Sequence, residues 1–74
     1  MVIKMKITVK GEKWRCVDRY LSSSPCWANG AIVEFVTYCN EKGECIDFPA
    51  WFERDYQTLY HKILRERKYA YKRE

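Results

Sequence analysis

Residues 37 to 48 read TYCNEKGECIDF, and the two cysteines either side of Asn-Glu-Lys-Gly-Glu constrain the chain more than any other feature. Both arms are rich in β-branched and aromatic residues, which favour strands, and the glycine between them supplies the left-handed residue of a short hairpin loop. With Glu41 and Lys42 in a type I turn and Gly43 at the left-handed position of a G1 bulge, Asn40 pairs with Glu44 and Cys39 faces Cys45 directly. Such a non-hydrogen-bonded pair holds its β-carbons about 4.5 to 5.5 Å apart, close to disulfide distance. In the chain-entropy picture, closing so short a loop contributes roughly 2 to 2.5 kcal/mol.

That contribution is large for a chain of 74 residues, near the size at which a hydrophobic core alone leaves only a few kcal/mol of net stability. A zinc site built from all four cysteines is the alternative. It prefers paired knuckles such as C-x2-C, whereas nine residues separate Cys16 from Cys26, twelve separate Cys26 from Cys39 and five separate Cys39 from Cys45. No C-x-x-C exists for thioredoxin-like chemistry. By exclusion Cys16 pairs with Cys26, although three pairings of four cysteines are formally possible. No metal or other cofactor is expected.

The N-terminal MVIKMKITVK has lysines at 4, 6 and 10, so it offers no uninterrupted apolar run for a signal or membrane helix, and a cytoplasmic location is expected. Intracellular proteins rich in disulfides are characteristic of hyperthermophiles and their viruses. Only three Asn plus Gln against 24 charged residues lean the same way, towards a thermophilic source. Twelve aromatics and an apolar fraction of 47% mark a folding chain. Charge is unevenly spread: residues 1 to 27 carry six Lys/Arg against two acids, residues 28 to 60 two against six, and residues 61 to 74 six against two. A basic end segment is either a surface for nucleic acid and other anions or a solvated helix end.

Residues 2 to 10 alternate, with Ile3, Met5, Ile7 and Val9 on one face and Lys4, Lys6, Thr8 and Lys10 on the other, the period of a half-buried strand. Gly11 turns it back into KWRCVD, with Trp14 and Cys16 on one face and Arg15 and Val17 on the other. The single domain 1–74 is therefore expected as a β-hairpin over 2–18, a loop over 19–26, a second β-hairpin over 27–48 and a helix from about 49 to 68, with YAYKRE fraying. Helical spacing of Phe52, Tyr56, Leu59, Tyr60, Ile63 and Leu64 predicts that helix's apolar stripe. The fold class is α+β: a small SH3-like β-barrel, or two packed β-hairpins, with a C-terminal α-helix.

Catalytic chemistry is hard to place. His61, the one histidine, sits between Tyr60 and Lys62 and reads as a surface residue. Glu53 and Asp55 are two apart on the expected helix and point different ways, so they do not form an acid/base pair. The chain has no glycine-rich phosphate loop, and the serines of SSSP have no base nearby in sequence. A non-enzyme is expected.

The lysine-alternating strand into VKGE, VD at 17 and 18, WANGAIVEF from Trp27, a glycine hairpin, a proline and a basic C-terminal helix come in the order found in the crenarchaeal seven-kilodalton chromatin proteins. The chain resembles that archaeal family of small SH3-like barrels over nearly its whole length. The resemblance implies sequence-tolerant duplex DNA binding by a sheet that wedges apolar side chains into the minor groove. The family's strand tryptophan matches Trp27, its wedge residues fall at Asn29 and Ile32, and its turn lysine matches Lys10. Glu34 falls where the family has a polar residue facing DNA, and the family lacks this cysteine set.

Two functions follow. The first is a small basic nucleic-acid binder using Trp27, Asn29 and Ile32, the hairpin lysines Lys4, Lys6 and Lys10, and the helix cations Arg65, Arg67 and Lys68. The alternative is a disulfide-stapled interaction or regulatory module, viral in one version, in which the sheet face of Ile32, Val36 and Tyr38 takes a protein partner or a second copy.

Overall fold

The computed structural model describes residues 6–23 and 31–72. Alternation along β1 (Lys6–Val9) sends Ile7 and Val9 inward and Lys6 and Thr8 to solvent. Lys10 and Gly11 then both take positive φ, 53° and 79°, and Val9 pairs with Glu12, so the chain reverses through the two-residue turn whose twist matches its strands. β2 (Glu12–Ser23), β3 (Ile32–Asn40), β4 (Glu44–Pro49), α1 (Tyr56–Glu66) and β5 (Tyr71–Lys72) follow. The five described strands pair antiparallel in chain order, with β1 and β5 at the two ends of that order in one open sheet.

The class is thus α+β, with the two hairpins fused through β2 and β3 into that single sheet. Arg19–Ser23, expected in a loop, continue β2, because each finds a ladder partner on β3 as far as Ser23 opposite Ile32. Between Cys16 and Asp18 the register shifts by one residue, leaving Val17 as a bulge. Residues 2–5 of the first hairpin and 27–30 of the second lie outside the described residues, as does the serine-proline part of the expected loop.

The single helix expected from 49 to 68 is divided. Pro49 is the last residue of β4, Ala50–Glu53 make a 3-10 turn, and α1 starts only after Asp55. Asp55 is in extended conformation, and its carboxylate accepts from the Thr58 N–H at 2.8 Å and the Thr58 hydroxyl at 3.1 Å, a side-chain cap that fixes where the helix begins. After a second 3-10 turn at Arg67–Tyr69, the segment expected to fray instead adds β5, which pairs Tyr71 with Cys45 and Lys72 with Glu44.

α1 lies across one face of the sheet. Leu59 and Ile63 meet Val9, Trp14, Val36, Tyr38, Ile46 and Phe48 in one core. Fully burying side chains of this size contributes about 1.5 to 3 kcal/mol each before conformational entropy is counted. Tyr56, expected in the apolar stripe, is exposed and stacks on Tyr60. The indole Nε1 of Trp14 is buried and meets no acceptor among the described residues.

The covering of this face corrects the expected partner surface. Val36 and Tyr38 are fully buried beneath α1, and only Ile32, beyond the helix, stays exposed. A polar lock closes this side: Arg19 reaches Glu53 at 2.9 and 3.1 Å, and the buried Tyr38 hydroxyl donates to the same carboxylate.

Candidate functional site

Among the described residues, the opposite face of the sheet carries no helix. Strand parity brings one side chain from every strand into a row across it: Lys6 opposite Arg15, Arg15 opposite Cys39, Cys39 opposite Cys45, and Cys45 opposite Tyr71. The centre of the row is covalent. Cys39 and Cys45 form a disulfide with their Cα atoms 4.1 Å apart, as the turn register requires. Gly43 takes φ 83° and its N–H donates to the Asn40 carbonyl at 3.2 Å, which is the expected type I turn and bulge. Asn40 adds what the sequence reading lacked: its side-chain oxygen accepts from the N–H groups of Lys42 and Glu44, both at 3.0 Å, and ties the loop from inside.

The disulfide removes two cysteines from any four-cysteine zinc site. Cys16, on the core side, is a free and buried thiol that donates to the Asp18 carbonyl at 3.5 Å; burial pushes its pKa up, which favours the inert thiol over the thiolate. Cys26, its expected partner, lies outside the described residues. Among those residues no group of three or more His, Cys, Asp or Glu side chains is placed to hold a metal ion.

To one side of the disulfide the face is cationic. Lys13 stands beside Arg15 on β2, opposite Thr8, and Lys10 stands in the adjoining turn. Lys6, Lys10, Lys13 and Arg15 are all exposed, and none forms an ion pair with a described residue. To the other side the face is aromatic and acidic. Tyr20 on β2 stacks on Phe35 on β3 with ring centroids 5.8 Å apart. Asp47 on β4 gathers three hydroxyls: Tyr20 at 2.5 Å, Thr37 at 3.1 Å, and Tyr71. Burial first, then the Asp47 carboxylate, hold the Tyr20 phenol well above its ordinary pKa, so it stays a donor.

The residues singled out by sequence do not converge. Lys6 and Lys10 lie with the cationic half of the uncovered face. Ile32 is on the other side of the sheet, paired with Ser23 near Leu21; both apolar side chains are 72% exposed. Glu34 is also on that side, 3.9 Å from Arg19. Arg65, Arg67 and Lys68 belong to the helix layer; Arg67 pairs with Glu12 at 3.4 Å and Lys68 lies over the Tyr69 ring at 5.2 Å. His61 is exposed on α1, edge-on to Tyr60. Lys4, Trp27 and Asn29 lie outside the described residues. Sequence reasoning missed Lys13 and Arg15, whose signal was their parity opposite Trp14 and Cys16, and it missed Tyr20 and Tyr71, whose strands were not foreseen.

Comparison with family models, with characterised proteins and with solved structures finds no match to this chain.

Proposed function

We propose that this protein is a small nucleic-acid-binding module, not an enzyme, and that it binds through the uncovered sheet face with little sequence preference. One observation carries the reading: four neighbouring cations, Lys6, Lys10, Lys13 and Arg15, are exposed on or beside one face with no described carboxylate against them. Cations kept free of intramolecular partners are available for phosphate, and each contact that releases counterions adds affinity without base readout.

The β1–β2 turn supports it. Both central positions have positive φ, where Asn, Asp or Gly is favoured, yet the first is Lys10 at φ 53°. Holding a lysine in the left-handed region costs about 1 kcal/mol, which is reasonable where the charge is needed at that point. The resemblance to the crenarchaeal chromatin proteins, small SH3-like barrels with a hairpin, hairpin, helix order, agrees with a sheet-borne interface. The wedge that resemblance implies at Ile32 does not share a face with these cations, so insertion by Ile32 is not part of the proposal.

Titrating labelled mixed-sequence DNA at about 50 and 200 mM salt tests the reading, with affinity expected to fall steeply between the two. No binding at the lower salt ends it. A second reading, self-association, rests on the exposed pair Leu21 and Ile32. Sedimentation of wild type and Ile32→Asp at increasing concentration decides it, since only an apolar contact between copies is lost in the variant.

A further inference from the structure

We infer that the occupant of the uncovered face is a single nucleic-acid strand and not a duplex; this deepens the nucleic-acid reading and rests on it. The distribution of charge across the row carries the inference. The cations stand on β1 and β2, while the opposite half of the face carries Asp47, and Lys72 on β5 is turned to the Lys42 carbonyl at 2.9 Å. Neighbouring strands lie about 4.8 Å apart, so the cationic edge is roughly 15 to 20 Å from β5. A duplex presents two phosphate backbones across a groove and needs cations under both. A duplex laid here would bring its second backbone over Asp47 on β4. A single strand presents one backbone, and the face offers cations for one.

What lies beyond the cations suits bases. Half-buried Cys39 stands beside Arg15 with Cys45 buried behind it, Tyr71 stands at the end of the same row with 44% of its surface exposed, and the Tyr20–Phe35 pair stands two rows along. Bases of any sequence stack on aromatic rings, and sulfur is a favourable neighbour for a π-system. Asp47 repels phosphate but accepts hydrogen bonds, so the N–H groups of bases, thymine N3–H included, are compatible with it where a backbone is not. Phosphates therefore run along β1 and the first residues of β2, as far as Arg15, with the bases turned past Cys39 towards β5.

The test compares an oligonucleotide of about 12 deoxythymidines with a duplex of equal length, both labelled, by fluorescence anisotropy at about 50 mM salt. Single strand is expected to bind at least tenfold more tightly than duplex. Tyr71→Ala is expected to weaken single-strand binding about tenfold, while Tyr71→Phe, which keeps the ring and loses only the hydroxyl on Asp47, is expected to lose much less. Circular dichroism and a urea midpoint on each variant separate lost stacking from lost fold. Duplex bound as tightly as single strand, or a folded Tyr71→Ala that binds normally, overturns the inference and leaves the nucleic-acid reading standing. Failure of both probes to bind overturns the reading itself.

Discussion

Arg19 meets Glu53 with two guanidinium nitrogens, at 2.9 and 3.1 Å, and so joins β2 to the 3-10 turn that precedes α1. Because the Tyr38 hydroxyl donates to the same carboxylate, Glu53 serves two donors from two strands. Glu53→Ala is expected to lower stability by about 2 to 3 kcal/mol, somewhat less than breaking a fully buried pair because Arg19 keeps 31% of its side chain exposed. Glu53→Gln retains one acceptor and is expected to lose less. Urea midpoints of the two variants, compared at constant slope, check the order.

Raising the pH should unfold the protein through groups that resist ionisation. Burial holds the Cys16 thiol and the Tyr38 and Tyr20 phenols above their ordinary values of 9.0 and 10.0, and the Glu53 and Asp47 carboxylates add to this for Tyr38 and Tyr20. The folded chain then keeps protons that the unfolded chain loses, so this stability is fully present below those values and falls as pH rises beyond them. Denaturation followed from about pH 8 to pH 11 is expected to show the decline, and Tyr20→Phe is expected to flatten it. An unchanged slope in Tyr20→Phe would show that this phenol contributes nothing.

Reduction should weaken the fold without abolishing the second turn. Opening Cys39–Cys45 is expected to cost about 2 kcal/mol, since the loop is short, and the Asn40 side chain still ties the turn. Peptide mapping of unreduced protein is expected to find these two cysteines linked. Urea melts with and without reductant measure the loss.

Asp47→Ala should release β5. Three hydroxyls lose their common acceptor, at an expected cost of about 1 to 2 kcal/mol, with the effect concentrated where Tyr71 holds the terminal strand. Hydrogen exchange at Tyr71 and Lys72 is expected to accelerate more than at Val36 or Tyr38.

The helix cations should be silent in binding. Arg65 and Lys68 are on the layer opposite Lys6, Lys13 and Arg15, so Arg65→Glu with Lys68→Glu is expected to leave affinity for single strands unchanged, while Lys13→Glu with Arg15→Glu is expected to reduce it strongly. Each lost phosphate contact also flattens the dependence of log affinity on log salt by about 0.7.

What the sequence made legible was local chemistry. The alternation of Ile7 and Val9 with Lys6 and Thr8, the glycine at position 43 and the Cys39–Cys45 register depend on neighbours within a few residues, and the structure has them as read. The uncovered face was not legible because its composition is decided by the bulge at Val17. Strict alternation carried on from Trp14 and Cys16 would place Asp18 and Tyr20 on the helix side; the extra residue sends them to the other side and turns Arg19 inward to Glu53. The division at Asp55 was missed because helical spacing from Phe52 onward outweighed the cap, although Asp55 stands three residues before Thr58, whose N–H it accepts. β5 was missed because two residues cannot show a period, and their pairing depends on the remote Glu44 and Cys45.

The crosslink in the middle of the row makes sidedness a covalent property of this chain. A strand in an ordinary sheet can slip by one residue and exchange its two sides, but between β3 and β4 such a slip would have to break a sulfur–sulfur bond. Engineering of the 40–44 loop is accordingly restricted in arithmetic as well as in chemistry. A single added residue would either tear the sheet from its crosslink or bulge out harmlessly, and it could not turn the lysine side to the inside.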